Sequence, residues 1–354
     1  MPNDPTPELS IIVPVFNEAA ILSDLFSTLS RQQGILFELI LCDGKSTDDT
    51  LQLILEESAN CSFFVHGVGT PRGRASQMNA GAAIARGSTL LFLHADSRFS
   101  DPAALSTAFS NYTTNQREGE ILIHAGHCGL RFKRVNPIPS LAYFFYEAKT
   151  RLNRADCIRG DQGFMLSSDV FDRMGGFDES LPFLEDIRFA QAVATQGSWQ
   201  LLPVEIITSA RRFETEGLYE RQVVNAIISN CAAAGWGEFF TSLSGLYRCH
   251  TETGKLQLFP FLDGIRNLLG KQSPEWRQSF WRTTGSYISG NTWQLFFWLD
   301  VRRAFRNDRQ PGEVEPHRLD IYQRHLEPLF QSRFAAWLAQ QAVRLWFQWM
   351  LLKK

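Results

Sequence analysis

Four short apolar runs recur in the first hundred residues, and each of the first three leads into a stretch with helical spacing. LSIIVPVFN (9–17) is short, continuous and β-branched, as strands buried on both faces are. Phe37 to Cys42, Ser62 to Val65 and Thr89 to His94 repeat the pattern. Helix-like stretches run from Asn17 or Glu18 to about Gln33, from Ser46 to about Ser58, and from Arg74 to Arg86. Ser46 reads as the N-cap of the second, with Asp48 and Asp49 at its positive end. Gly87 reads as the stop of the third. This alternation predicts an α/β fold, a mostly parallel sheet with helices on both faces.

Beyond residue 120 the pattern is less regular. Ile121–His124 and Gly126–Phe132 read as strands, Ile138–Asn153 as a helix, Gly163–Ser167 and Leu201–Val204 as further strands. A short helix over Val170–Met174 and a longer one from Phe183 to about Gln196 lie between the last two. From about residue 216 the chain reads as helices, and seven of its nine tryptophans lie beyond residue 270. The last segment, RFAAWLAQQAVRLWFQWMLLKK, carries Arg333, Gln340, Arg344 and Gln348 as one polar stripe on an amphipathic helix. The 354 residues suffice for two or more units: an α/β domain over 1–230 and a helical extension over 231–354. Within the first, the regular alternation covers about 9–100 and the less regular part about 101–215.

Polar groups collect where the strands end. Phe16, Asn17 and Glu18 follow the first, and Asp43-Gly44-Lys45-Ser46 the second. Arg72 and Arg74 follow the third, and His94 and Asp96 the fourth. In an open α/β sheet these edges line one crevice. His94 and Asp96 are two apart, so on an extended strand they project to one side. A carboxylate at a strand tip can bond a base or ribose, and Arg72 and Arg74 can neutralise a diphosphate. Asp96 offers hard oxygen to a divalent cation. Taken singly, each loop is equally open to ordinary capping and turn chemistry. The chain has no GxxxxGK[ST], and no GxGxxG follows its first strand, so neither a P-loop nor a dinucleotide site is expected.

The ordered set LSIIVPVFNE, LCDGKSTDDT, GRASQMNAGAAIARG, LLFLHADS and FLEDIRFA resembles the family 2 glycosyltransferases of the GT-A fold. The resemblance covers roughly residues 9–212 and lies nearest a bacterial subgroup with HAD in place of DxD. It implies a nucleotide-sugar donor, UDP- or GDP-linked, a divalent metal (Mn or Mg) and inverting transfer to an acceptor hydroxyl. By motif, Pro14, Phe16 and Glu18 match the first nucleotide-binding loop, and Asp43 the acidic residue that contacts the base. Arg74 and Asn79 match the helix start near the diphosphate, and Asp96 the metal-binding Asp of DxD. His94 departs from the family and suits Mn²⁺ better than Mg²⁺. Asp186, preceded by Glu185, matches the catalytic base, and Asp161 and Gln162 match positions beside the donor sugar and acceptor.

One base satisfies the chemistry of a single displacement, because the leaving diphosphate needs no second acid. Glu185 and Asp186 would also suit a helix N-terminus with no catalytic role. Arg211 and Arg212 stand where processive relatives carry QxxRW, but no Trp follows, which argues against a processive synthase. His124 and His127 read as structural before metal-binding. Two other readings stay open. A sugar-nucleotide nucleotidyltransferase would need a Gly-rich loop after the first strand, where this chain has VFNEAA. A non-catalytic nucleotide-sugar-binding module is kept open by His94.

Charge is unevenly spread. Residues 255–354 hold 15 Lys and Arg against 8 Asp and Glu, net +7, whereas residues 1–254 are net −9. A cationic, tryptophan-rich C-terminal third suits either packing, including a homo-oligomer, or peripheral membrane contact. No nucleic-acid partner is expected. The acceptor can be a glycan, a lipid-linked molecule or a small molecule. Six cysteines without metal-site spacing, no signal-like leader and no long apolar run lead to the expectation of a cytoplasmic protein, free or on the inner face of the membrane.

Overall fold

The computed structural model describes residues 6–118, 123–180, 183–248 and 254–352. The chain divides into two compact units, one of residues 1–133 with 146–209 and the other of residues 134–145 with 210–354.

The first unit is built on β1 (Leu9–Val15), α1 (Ala19–Ser30), β2 (Phe37–Asp43), α2 (Thr50–Ser58), β3 (Phe64–Gly69), α3 (Arg74–Ile84) and β4 (Thr89–Phe92). Then come α4 (Ala104–Glu118), β5 (His124–Lys133), α5 (Leu141–Lys149, of which residues 146–149 belong to this unit), β6 (Phe164–Ser167), α6 (Ser168–Arg173), α7 (Glu185–Gln196) and β7 (Ser198–Ser209). The sheet order is β3-β2-β1-β4-β6-β5-β7. The first four strands run parallel, β6 is antiparallel to both β4 and β5, and β7 is parallel to β5. Each face of the sheet has its own core. Ile11 and Val13 pack with Leu22, Phe26 and Leu105 on one side. Ile12 and Ile40 pack with Met78, Phe164 and Phe189 on the other. Both faces are covered, so the strands read as unbroken apolar runs, and each such side chain stabilises by about 1.5–3 kcal/mol.

Local boundaries moved for physical reasons. Ser46 does not cap a helix: its hydroxyl accepts the Asn17 N–H at 2.9 Å, and its own N–H donates to Asp43 at 3.1 Å. The helix starts only at Thr50, whose N–H is taken by Asp48 at 3.1 Å. The helix expected from Ile138 starts at Leu141, after Pro139, which disfavours helical backbone in the residue before it. The two strands expected over 121–132 form one strand from His124; residues 121 and 122 lie outside the described residues. β7 extends to both sides of the expected Leu201–Val204.

The second unit is helical: α8 (Arg211–Glu216), α9 (Leu218–Ala233), α10 (Gly237–Arg248), α11 (Leu258–Gly270), α12 (Pro274–Gly290), α13 (Trp293–Arg306), α14 (His317–Ile321), α15 (Glu327–Phe330) and α16 (Arg333–Leu352). Its core is aromatic. Trp293, Phe297, Phe261 and Tyr322 are fully buried, and Trp236 meets Trp276 and Phe280 at 5.1 and 5.2 Å. Buried Asp300 accepts the N–H groups of Arg318 and Leu319 at 2.9 and 3.0 Å and so caps the first turn of α14. Among the described residues no helix is long and apolar enough to cross a membrane.

Candidate active site

The tips of β1, β2 and β3 are in register, with Val15 beside Asp43 and Asp43 beside Gly69. The three following loops therefore leave the sheet side by side. Buried Gln77 of α3 fixes this edge by donating to the Val15 and Cys42 carbonyls at 2.8 and 2.6 Å. Asp43 accepts the Lys45 and Ser46 N–H groups at 3.0 and 3.1 Å. Asn17 is left-handed (φ 57°), and its side-chain oxygen takes the Thr47 N–H at 2.8 Å. The Glu18 N–H donates to Thr50 Oγ1 at 2.9 Å. Pro14 sits half-buried within β1. The Arg72 guanidinium lies over the Phe16 ring, 4.1 Å from its centroid, a cation–π pair at the mouth of the crevice.

The second half of the site is acidic. β4 ends at Phe92, so His94 and Asp96 do not share a strand face; they lie in a turn closed by Ser97 N–H to His94 O at 3.1 Å. Asp96 Oδ2 accepts the Thr208 hydroxyl at 2.8 Å and the Ser209 N–H at 3.2 Å. Asp186 stands in the first turn of α7. Its Oδ1 accepts the Ile187 N–H and its Oδ2 the Gly160 N–H, both at 2.8 Å. The chain enters that helix through left-handed Leu184 (φ 70°), a conformation that costs about 1–2 kcal/mol for a residue with a side chain. Gly160 opens a short 3₁₀ turn; a Cβ there would lie 3.3 Å from Asp186 Oδ2 and 3.4 Å from His94 Nε2. Arg74, Met78, His94, Gly160, Phe177 and Asp186 thus line one narrow cleft.

Electrostatics bind these groups into one cluster. Burial, then the Arg74 charge, push the His94 imidazole down to about 4, against the pull of Asp96 and Asp186. It is neutral at physiological pH. Burial raises Asp161 to about 7, with the Asp186 and Asp96 charges adding to the effect. Burial also raises Glu185, although Arg74 sits 3.3 Å from its carboxylate and opposes the shift.

Two of the residues singled out from sequence spend their amides on the scaffold. Asn79 donates to the Phe177 carbonyl and accepts the Phe177 N–H, both at 2.9 Å. Buried Gln162 donates to Cys157 O at 2.6 Å and pairs with His127 at 3.0 Å. His124 is held by Ser198 and Gln200, and burial takes His127 down to about 4. Arg212 pairs with Glu216 within α8. Sequence reading missed Thr208, Ser209, Gly160 and Gln77. The glycine before Asp161 was a usable signal for one of them; the others carry none.

The donor set fits a divalent cation shared with a substrate. One Asp96 oxygen is committed to Thr208 and Ser209, while Asp161 Oδ1 is buried without a hydrogen-bond partner. These are hard oxygens beside a neutral imidazole. Among the described residues no three His, Cys, Asp or Glu side chains are grouped to hold an ion alone.

The first unit is thus an α/β fold, a mostly parallel sheet with helices on both faces and its strand tips tied into a polar edge. Residues 10–175 match the family model of glycosyl transferase family 2. A PGL/p-HBAD biosynthesis glycosyltransferase of Mycobacterium tuberculosis is 40% identical over 92 residues, which cover 25% of this chain and 36% of the relative. The match therefore spans about a third of that relative's length. A dolichyl-phosphate beta-glucosyltransferase of Saccharomyces cerevisiae is 30% identical over 140 residues, covering 36% of this chain and 42% of the relative. Among solved structures, a Pyrobaculum calidifontis mannosyltransferase in complex with GDP-Man and Mn²⁺ aligns over 97% of this chain and 88% of its own at 16% identity, with TM-score 0.48.

Proposed function

We propose that the protein moves a sugar from a nucleotide-diphosphate donor to an acceptor hydroxyl in one displacement that inverts the anomeric carbon. The observation that carries this reading is Asp186, whose carboxylate accepts two backbone N–H groups in the cleft that it lines with Arg74 and His94. Asp186 takes the proton of the acceptor hydroxyl as its oxygen bonds to the anomeric carbon. The bond from that carbon to the diphosphate breaks, and the nucleoside diphosphate leaves with the electron pair. Arg72 and Arg74 receive the growing phosphate charge. Phe16, with Arg72 stacked on it, and Asp43 flank the nucleoside, with Pro14 and Glu18 shaping the same loop. Asp96, with His94 in the position of the family's first Asp, would hold a divalent cation, which neutralises diphosphate charge when bound. Asp161 faces the sugar hydroxyls. Asn79 and Gln162 support the site from behind, in keeping with their hydrogen bonds. Glu185 orients Arg74.

A thermal-shift panel with UDP, GDP, CDP and dTDP, each with and without Mn²⁺ and Mg²⁺, tests the donor site. Binding to the native state raises the melting temperature by mass action. One nucleotide should shift it, and more so with metal. No shift with any of them would remove the donor site.

A further inference from the structure

We propose that the outward face of α16 seats on an anionic lipid bilayer. The helix carries apolar residues on two sides that differ in exposure. On the covered side it packs closely on α12: a Cβ at Gly285 would lie 2.3 Å from the Ala336 carbonyl oxygen. Trp281 of α12 meets Phe347 at 5.7 Å and the Arg344 guanidinium at 5.8 Å. On the other side Phe334, Leu345 and Leu352 are 68%, 66% and 82% exposed, with Leu338 and Trp349 close to half. At 3.6 residues per turn and 1.5 Å per residue, these five fall within an arc of about 60° over roughly 27 Å. A continuous exposed apolar stripe of this length marks an interaction surface.

Charge selects the occupant. Arg333 and Arg344 lie to one side of the stripe, about 80–100° around the helix from its edge, α16 contains no Asp or Glu, and the sequence continues into Lys353 and Lys354. A second copy docked through the same face would set these cations against their own counterparts. Aromatic and leucine side chains beside arginines, on a helix not apolar enough to cross, suit a position in the plane of an anionic interface. α13 repeats the composition, with exposed Leu295, Trp298 and Leu299 followed by Arg302 stacked on Trp298 at 5.2 Å. The inference concerns the helical unit and stands apart from the transfer chemistry.

The test is co-sedimentation of the full chain with vesicles of phosphatidylcholine alone and of phosphatidylcholine mixed with phosphatidylglycerol. The chain should sediment with the mixed vesicles, less so as salt rises, and stay in solution with the neutral ones. The triple variant Phe334→Gln, Leu345→Gln, Trp349→Gln should keep its melting temperature and lose bound fraction by roughly tenfold or more. No sedimentation with mixed vesicles overturns the proposal, as does equal binding by the variant. A native dimer that the variant dissociates, with no vesicle binding, would assign the face to a second copy instead.

Discussion

The two units use their apolar residues in opposite ways. Among the described residues, the first unit leaves five large apolar side chains exposed, scattered from Leu51 to Leu201; the second leaves fifteen, six of them on α16. Their charge differs as sharply. The first unit has 15 basic and 24 acidic residues, net −9, and the second 20 and 13, net +7. A sheet covered on both faces leaves little apolar surface for its edge, so strand tips are free to carry polar chemistry. A stack of helices has no such edge. Among the described residues its last helix keeps a row of exposed apolar side chains, and that row is offered as a surface for something else.

A pair of truncations tests this contrast with the largest effect. Trp293→Ala, in the fully buried core of the helical unit, should cost about 3–5 kcal/mol in urea unfolding. Leu345→Ala, on the outward face of α16, should stay within about 0.5 kcal/mol. Equal losses would mean that the outward face is already covered in the folded protein.

Gly160→Ala sharpens the view of the acidic half as a positioned site. The added methyl would press on Asp186 and His94, and turnover should fall roughly tenfold while nucleotide affinity holds. Matching losses of affinity and turnover would place Gly160 in donor binding instead.

The smallest effect is one of pH. Burial lifts Asp161 from its ordinary 3.8 to about 7, so the folded protein binds this proton more tightly than the unfolded chain. The associated stability is full below the ordinary value and is lost as pH rises through 7. Asp161→Asn should therefore gain little in melting temperature at about pH 4 and most at about pH 8. A gain independent of pH would mean that the asparagine acts through packing alone.

Much of the first unit was legible because its information is local. Strand runs, their polar tips and the Glu185-Asp186 step into α7 are read within a few residues. What escaped was partnership over distance. Thr208 reaches Asp96 across 112 positions and Gly160 reaches Asp186 across 26, and no periodicity announces either. The same limit misled on His94 and Asp96: the apolar run looked like strand through His94, but Leu93 N–H makes the last bond to β1, at Ile12 O, and His94 and Asp96 lie in the turn that follows. In α16 the polar stripe at Arg333, Gln340, Arg344 and Gln348 marked the helix. It did not say which apolar side would be buried, because that depends on where α12 lies. Gln340 in fact stands against Gly285.

The central claim is that Asp186 is the base of a transfer reaction, and slow transfer to water allows a test before any acceptor is known. Release of nucleoside diphosphate from the donor would be followed for the native chain and for Asp186→Asn, beside calorimetric affinity for the same nucleotide. The account predicts unchanged affinity and a fall in release of about 10²–10⁴-fold. Equal release by both forms, at equal affinity, would contradict it.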